Sequence, residues 1–174
     1  LRNLFKPGAI IVHGVHLSDR DLVRLQEINV NLVHNPRSNM NNRVGRANIE
    51  IGSWGLGTDG IDSDILAEVR AAFFRGREDK LPIPFGQPME MLKRSQGFLG
   101  SYFDEELGEL KAATPADITF MDYRPPTPLT AENFAGHLMF GLGSWAVTGT
   151  MVRGRFILKD RTLVGVDEEA LLAK

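Results

Sequence analysis

Residues 9–34 read AIIVHGVHLSDRDLVRLQEINVNLVH, and this stretch decides the fold class. Ala9 to Val15 is an apolar, β-branched run entered from the turn pair Pro7-Gly8, a pattern that predicts a buried strand. Ser18 can cap a helix that follows, with Asp19 and Asp21 in its first turn. Leu22, Leu25 and Ile28 then repeat at the spacing of one apolar helix face. Val30 to Val33 is a second short strand, ending in His34-Asn35-Pro36. Strand, helix and strand at this spacing make one βαβ unit, which implies a parallel pair of strands.

Outward from that unit, residues 37–52 read as a polar, Asn-rich loop. Trp54 to Leu56 is a third strand running into Gly57-Thr58-Asp59-Gly60. A helix is expected from Asp64 to about Arg75, capped by Asp62 or Ser63, with Ile65, Leu66, Val69, Ala72 and Phe73 on its apolar side. A Pro-rich break over 80–88 precedes a third helix, Met89 to Phe103. Beyond it the pattern turns to antiparallel β. Strands are expected at Ala116–Tyr123, across a hairpin at Thr148–Lys159 with Gly154 in the turn, and at Thr162–Val166. A short helix over 130–140 and a terminal helix over 167–174 complete the reading. The fold class is α/β.

Composition narrows the function classes. The chain has 174 residues, enough for one domain with a core. It holds 20 Lys+Arg against 22 Asp+Glu with no basic tract, so nucleic acid is not an expected partner. No apolar run is long enough to span a bilayer, so no membrane partner is expected either. The absence of cysteine removes disulfides, thiolate metal sites and thiol nucleophiles, and it fits a cytoplasmic location. The chain starts at Leu1 rather than Met, which suggests a processed start or part of something longer.

Three of the four histidines fall within the first 34 residues, each at or just past the carboxyl end of a strand. His13 and His16 follow the first strand, His34 ends the second, and Asp59 follows the third. Ligands of parallel α/β folds bind at the carboxyl ends of strands. Imidazole and carboxylate together suit zinc or non-haem iron in a hydrolytic site, where the metal acidifies a water and a nearby His or Asp moves protons. Taken singly, each residue has a plainer reading: a hydrogen-bonded histidine at a strand end, or an aspartate in a turn. His137, inside an apolar helix, reads as structural.

The ordered motifs shift that balance. VHGVHLSDRDLVRLQE at Val12–Glu27, LVHNPRSNMNN at Leu32–Asn42 and GLGTDG at Gly55–Gly60 resemble the metal-dependent amidohydrolase superfamily. The likeness is to its aminohydrolase/chlorohydrolase branch, which holds guanine deaminase-like, S-adenosylhomocysteine deaminase-like and triazine hydrolase-like enzymes. ADITFMDYRPPTPLTAENFAGHLMFG at Ala116–Gly141 and VTGTMVRGRFILKDRTL at Val147–Leu163 resemble the C-terminal segment of that branch.

The resemblance implies a (β/α)8 TIM barrel with a small β-sandwich. This chain would supply the last three barrel strands within residues 1–105 and part of the sandwich, with terminal helices, within 106–174. It implies that His13 assists proton transfer or holds substrate near the metal, and that Asp59 ligates the metal and accepts a proton from the nucleophilic water. His13 and Asp59 are thus both the catalytic and the metal-site candidates. His34, Ser38 and Asn39 correspond to a loop that lines the substrate pocket, and no role carries over to His16. The implied cofactor is a divalent metal, zinc, with iron as the alternative. The implied substrate is a small heterocycle hydrolysed at a C–N or C–Cl bond.

Two departures qualify the resemblance. The family's His-x-His pair and its fifth-strand His with nearby Glu do not occur here, and the stretch from Asn42 to Trp54 is short for the helix that the family places there. A full barrel needs about 200–250 residues. The expectation is therefore a portion of a longer enzyme that pairs with an N-terminal barrel half, on the same or a separate chain, and forms a homo-oligomer. The contrasting expectation is a non-catalytic fragment or assembly module without a full metal site.

Overall fold

The computed structural model describes residues 5–173. Leu1, and Lys174 at the end of the expected terminal helix, lie outside them. Three parallel strands, β1 (Ile10–Val12), β2 (Asn31–His34) and β3 (Trp54–Leu56), form one sheet in sequence order. Helix α1 (Asp19–Glu27) joins β1 to β2. Its start is a capping box: the Ser18 hydroxyl accepts from Asp21 N–H, and the Asp21 carboxylate accepts from Ser18 N–H at 3.1 Å. Leu22 and Leu25 are buried beneath it, each contributing about 1.5–3 kcal/mol by leaving water.

The stretch expected as a loop after β2 opens with a short helix, α2 (Pro36–Asn41). Asn is a poor helix former because its side chain competes for backbone hydrogen bonds, so the sequence conceals this turn. Pro36 at the first helical position favours it. Helix α3 (Ile65–Glu78) is capped by Asp64, not by Asp62 or Ser63, because Asp64 Oδ1 accepts from Ala67 N–H at 3.0 Å. Helix α4 (Gln87–Phe103) packs against β3, where Ser95 Oγ accepts from Leu56 N–H at 2.7 Å and donates to Leu56 O at 2.8 Å.

Strand β1 is not the buried strand expected from its composition. Ile10 and Val12 are 47% and 44% exposed, because no described element covers that face. Leu32, Trp54 and Leu56 do sit in the core, against Val69, Ala72 and Phe73 of α3 and Met91 of α4.

The second half builds a four-stranded antiparallel sheet in sequence order. Its strands are β4 (Ile118–Met121), β5 (Val147–Val152), β6 (Arg155–Lys159) and β7 (Thr162–Leu163). Arg153-Gly154 and Asp160-Arg161 turn the last two hairpins, with all four residues at positive φ as type I′ turns require. Helix α5 (Phe134–Phe140) sends Leu138 and Met139 into the core beside α3, and α6 (Glu168–Leu172) ends the described chain. No helix among the described residues is long and apolar enough to cross a membrane.

Candidate functional site

The carboxyl ends of the three parallel strands converge on one cluster. His13 lies just past β1 and Asp59 just past β3, each held in the left-handed backbone region at φ 68° and 53°. That conformation costs a non-glycine residue about 1–2 kcal/mol, so the surrounding contacts must hold it. Those contacts come from α2. Asn39 Oδ1 lies 2.8 Å from His13 Nδ1, and Ser38 Oγ donates to Asp59 Oδ2 at 2.5 Å. Asp59 Oδ1 accepts from Gly60 N–H at 2.7 Å. His13 Nε2 and Asp59 Oδ2 face each other at 3.4 Å.

The amide orientation of Asn39 sets the histidine protons. Its oxygen only accepts, so His13 donates from Nδ1 and a neutral ring keeps its lone pair on Nε2. Asn39 Nδ2 donates to His34 Nδ1 at 3.4 Å, which leaves the proton of His34 on Nε2. That atom is buried without a partner among the described residues. Burial drives the His34 pKa down to about 4, and the charges of Arg46 and His13 push the same way. The Ser38 hydroxyl holds the Asp59 carboxyl below the usual carboxylate range, helped by the Gly60 amide and by His13.

A metal finds a partial fit here. The Nε2 lone pair of His13 and Asp59 Oδ2 are two acceptors face to face, an arrangement that calls for a proton or a cation between them. They suit a divalent ion as two donors. No group of three or more His, Cys, Asp or Glu that could hold a metal occurs among the described residues. A catalytic zinc takes about three protein ligands plus water. The donor set is therefore of the right chemistry and short in number.

A cavity of about 480 Å3 opens beside His13, walled by Ile11, Val15, Leu17 and Val44 with His16 and Asn39 at its polar side. Of the three residues expected to line the pocket, Asn39 does so. Ser38 is buried and directs its hydroxyl to Asp59. His34 is 1% exposed and stands behind Asn39, edge-on to Trp54 at 6.3 Å, so it reaches the cavity only through the Asn39 amide. His137 bonds Tyr123 at 2.8 Å and Thr127 at 3.1 Å, in keeping with a structural role.

Sequence reasoning missed three residues that support the cluster. Glu68 on α3 is fully buried and accepts from Arg37 N–H at 3.1 Å. Arg37 in turn forks onto Asp62 at 2.6 and 2.7 Å. One signal was available: Glu68 falls between Ile65 and Ala72 on the apolar side of α3, where an unpaired charge does not belong.

No family model matches the chain. A 5-methylthioadenosine/S-adenosylhomocysteine deaminase from Desulforudis audaxviator is 29% identical over 97% of the chain and 42% of its own length. The fold is similar to that of an adenosine deaminase from Xanthomonas campestris with bound zinc (TM-score 0.76, 22% identity, 94% of this chain and 40% of that one). It is also similar to a mutant atrazine chlorohydrolase from Arthrobacter aurescens complexed with zinc and atraton (TM-score 0.75, 16% identity, 95% and 40%). The chain thus spans about 40% of the length of the proteins it matches. In sequence the chain is similar to a deaminase, and in fold to part of zinc-bound deaminase and chlorohydrolase structures.

Proposed function

We propose that this chain is the catalytic C-terminal portion of a metal-dependent hydrolase acting on a C–N or C–Cl bond of a small heterocycle. The observation that carries the reading is the convergence of Asn39, His13, Asp59 and Ser38 at the carboxyl ends of three parallel strands. Deaminases and a chlorohydrolase among the similar proteins support the reaction class, and zinc in two of the solved structures supports zinc over iron.

In this reading residues 1–105 are the last three strand-helix portions of a (β/α)8 barrel, and residues 106–174 belong to a small sandwich. An N-terminal barrel half, on the same chain or a separate one, supplies the remaining ligands, and the protein works as a homo-oligomer in the cytoplasm. His13 and Asp59 hold part of the metal site. When bound, a divalent metal supplies Lewis acidity that brings a water toward neutral pKa. Asp59 would take the proton of the attacking water, and the Ser38 hydroxyl orients that carboxylate and holds it below the usual carboxylate range. His13, fixed by Asn39, presents its Nε2 lone pair beside Asp59 Oδ2, where it would accept a proton or help to hold the metal. Asn39, with Ser38 and His34 behind it, forms the polar side of the substrate pocket.

Metal analysis and hydrolysis assays on adenosine-type and triazine substrates test this in protein carrying both halves. Asp59→Ala should lose metal and activity together. Unchanged metal content and activity in Asp59→Ala overturn the assignment, and a folded, metal-free wild type that turns over none of these substrates supports a non-catalytic module instead.

A further inference from the structure

Helix α2 carries Ser38 and Asn39, yet beyond Pro36 at its first position its own six residues do not explain why it forms or where it sits. A helix this short is far below the length that is stable alone in water. Asn35 makes no side-chain cap, and Pro36 has no N–H to give. The first backbone donor of the helix is therefore Arg37 N–H, and it is accepted by Glu68 Oε2 at 3.1 Å. Glu68 is 0% exposed, and its second oxygen has no hydrogen bond; it faces Arg37 Nη1 at 3.7 Å. Desolvating a carboxylate is costly unless it is paired, so this contact fixes Arg37 against α3.

The same arginine reaches the other way. Its Nη1 and Nη2 donate to the two oxygens of Asp62 at 2.6 and 2.7 Å, the two-point geometry that sets both distance and plane. Asp62 lies three residues past Asp59, and its Oδ1 also accepts from Asp64 N–H at 3.0 Å. Arg37 is thus tied by its backbone to α3 and by its side chain to the loop that carries Asp59. The two residues after it, Ser38 and Asn39, are the ones that touch Asp59 and His13.

We propose that Arg37, clamped between Asp62 and Glu68, is a positioning residue that registers α2 against the loop after β3, so that Asn39 fixes the His13 ring and Ser38 meets Asp59. It touches neither His13 nor Asp59 and acts through its two neighbours in sequence. The inference deepens the hydrolase reading by assigning what aligns its centre. It stands on contacts that need no metal or substrate, so its test is separable from that reading.

The test reads the ring protons of histidine directly. Two-bond 1H–15N correlation spectra of the chain at about pH 8 report which nitrogen of each ring carries the proton. Wild type should show His13 with its proton on Nδ1. Arg37→Met should shift His13 toward the pattern of Asn39→Ala, lowering the Nδ1–H population at least about twofold. Arg37→Lys, which keeps the charge and loses the two-point grip, should fall between the two. Glu68→Gln keeps an acceptor for Arg37 N–H and should stay near wild type. His137, held by Tyr123 and Thr127, is the internal control and should not move. Should Arg37→Met fail to fold, Asp62→Ala releases the fork alone and is read by the same standard. A folded Arg37→Met or Asp62→Ala variant with the wild-type His13 pattern overturns the proposal. A wild type that hydrolyses none of the substrates while its His13 proton sits on Nδ1 and the variants shift as expected counts against the hydrolase reading and not against the clamp.

Discussion

Lowering the pH from 7.5 to 5 should cost this fold about 2 kcal/mol through His34 alone. The ring is buried, and its pKa drops from 6.5 to about 4. In the unfolded chain the ring takes up a proton near pH 6.5, whereas the folded chain refuses it until about pH 4. Between those values the unfolded state binds more protons, so stability is complete above the unfolded value and falls as the pH drops. The whole displacement of about 2.5 pH units is equivalent to about 3 kcal/mol, of which about two-thirds is spent by pH 5. Urea unfolding of wild type and His34→Gln at both pH values isolates the effect, since Gln offers Asn39 an acceptor and does not titrate. The carboxyl of Glu68, pushed up by burial, works in the opposite direction and cancels in that difference. The histidine NMR titration supplies a direct check: the His34 ring signals should stay flat down to pH 5. Equal pH losses in wild type and variant, or a His34 midpoint near 6.5, refute the account.

Ser95→Ala removes the only described side-chain partner of Leu56 N–H and should destabilise the chain by about 1–3 kcal/mol in urea titrations, with the loss centred on β3 by amide exchange. Gly14→Ala places a methyl 2.6 Å from Cη2 of Trp54 at a residue with φ +56°. The expected cost is about 1–3 kcal/mol, with an altered tryptophan emission spectrum. Leu25→Ala, on the buried face of α1, should cost about 2–5 kcal/mol of unfolding free energy and leave the His13 ring pattern unchanged.

Periodicity carried the reading where side chains act locally. The spacing of Leu22, Leu25 and Ile28 and the Ser18 cap identify α1 because both signals lie within the helix itself. The strand-end positions of His13 and Asp59 were legible for the same reason. The clamp was not legible, since Arg37 meets Asp62 and Glu68 across 25 and 31 residues of sequence. Helix α2 was missed because, apart from Pro36, its own residues favour a loop, while the acceptor of its first N–H lies 31 residues away on Glu68. The exposed side chains of Ile10 and Val12 teach a related lesson: composition states what a side chain prefers, and only a neighbouring element decides whether it is covered.

Ser95 gives the parallel sheet a direction of growth. The amide and carbonyl of Leu56 are already taken on the side away from β2, whereas no described strand flanks β1. An incoming strand finds a free seam beside Ile10–Val12, and one arriving beside Trp54–Leu56 has to evict a hydroxyl first. In the proposed barrel, a strand added at the β1 edge would need no rearrangement, whereas one added at the β3 edge would have to replace Ser95 of α4 on Leu56.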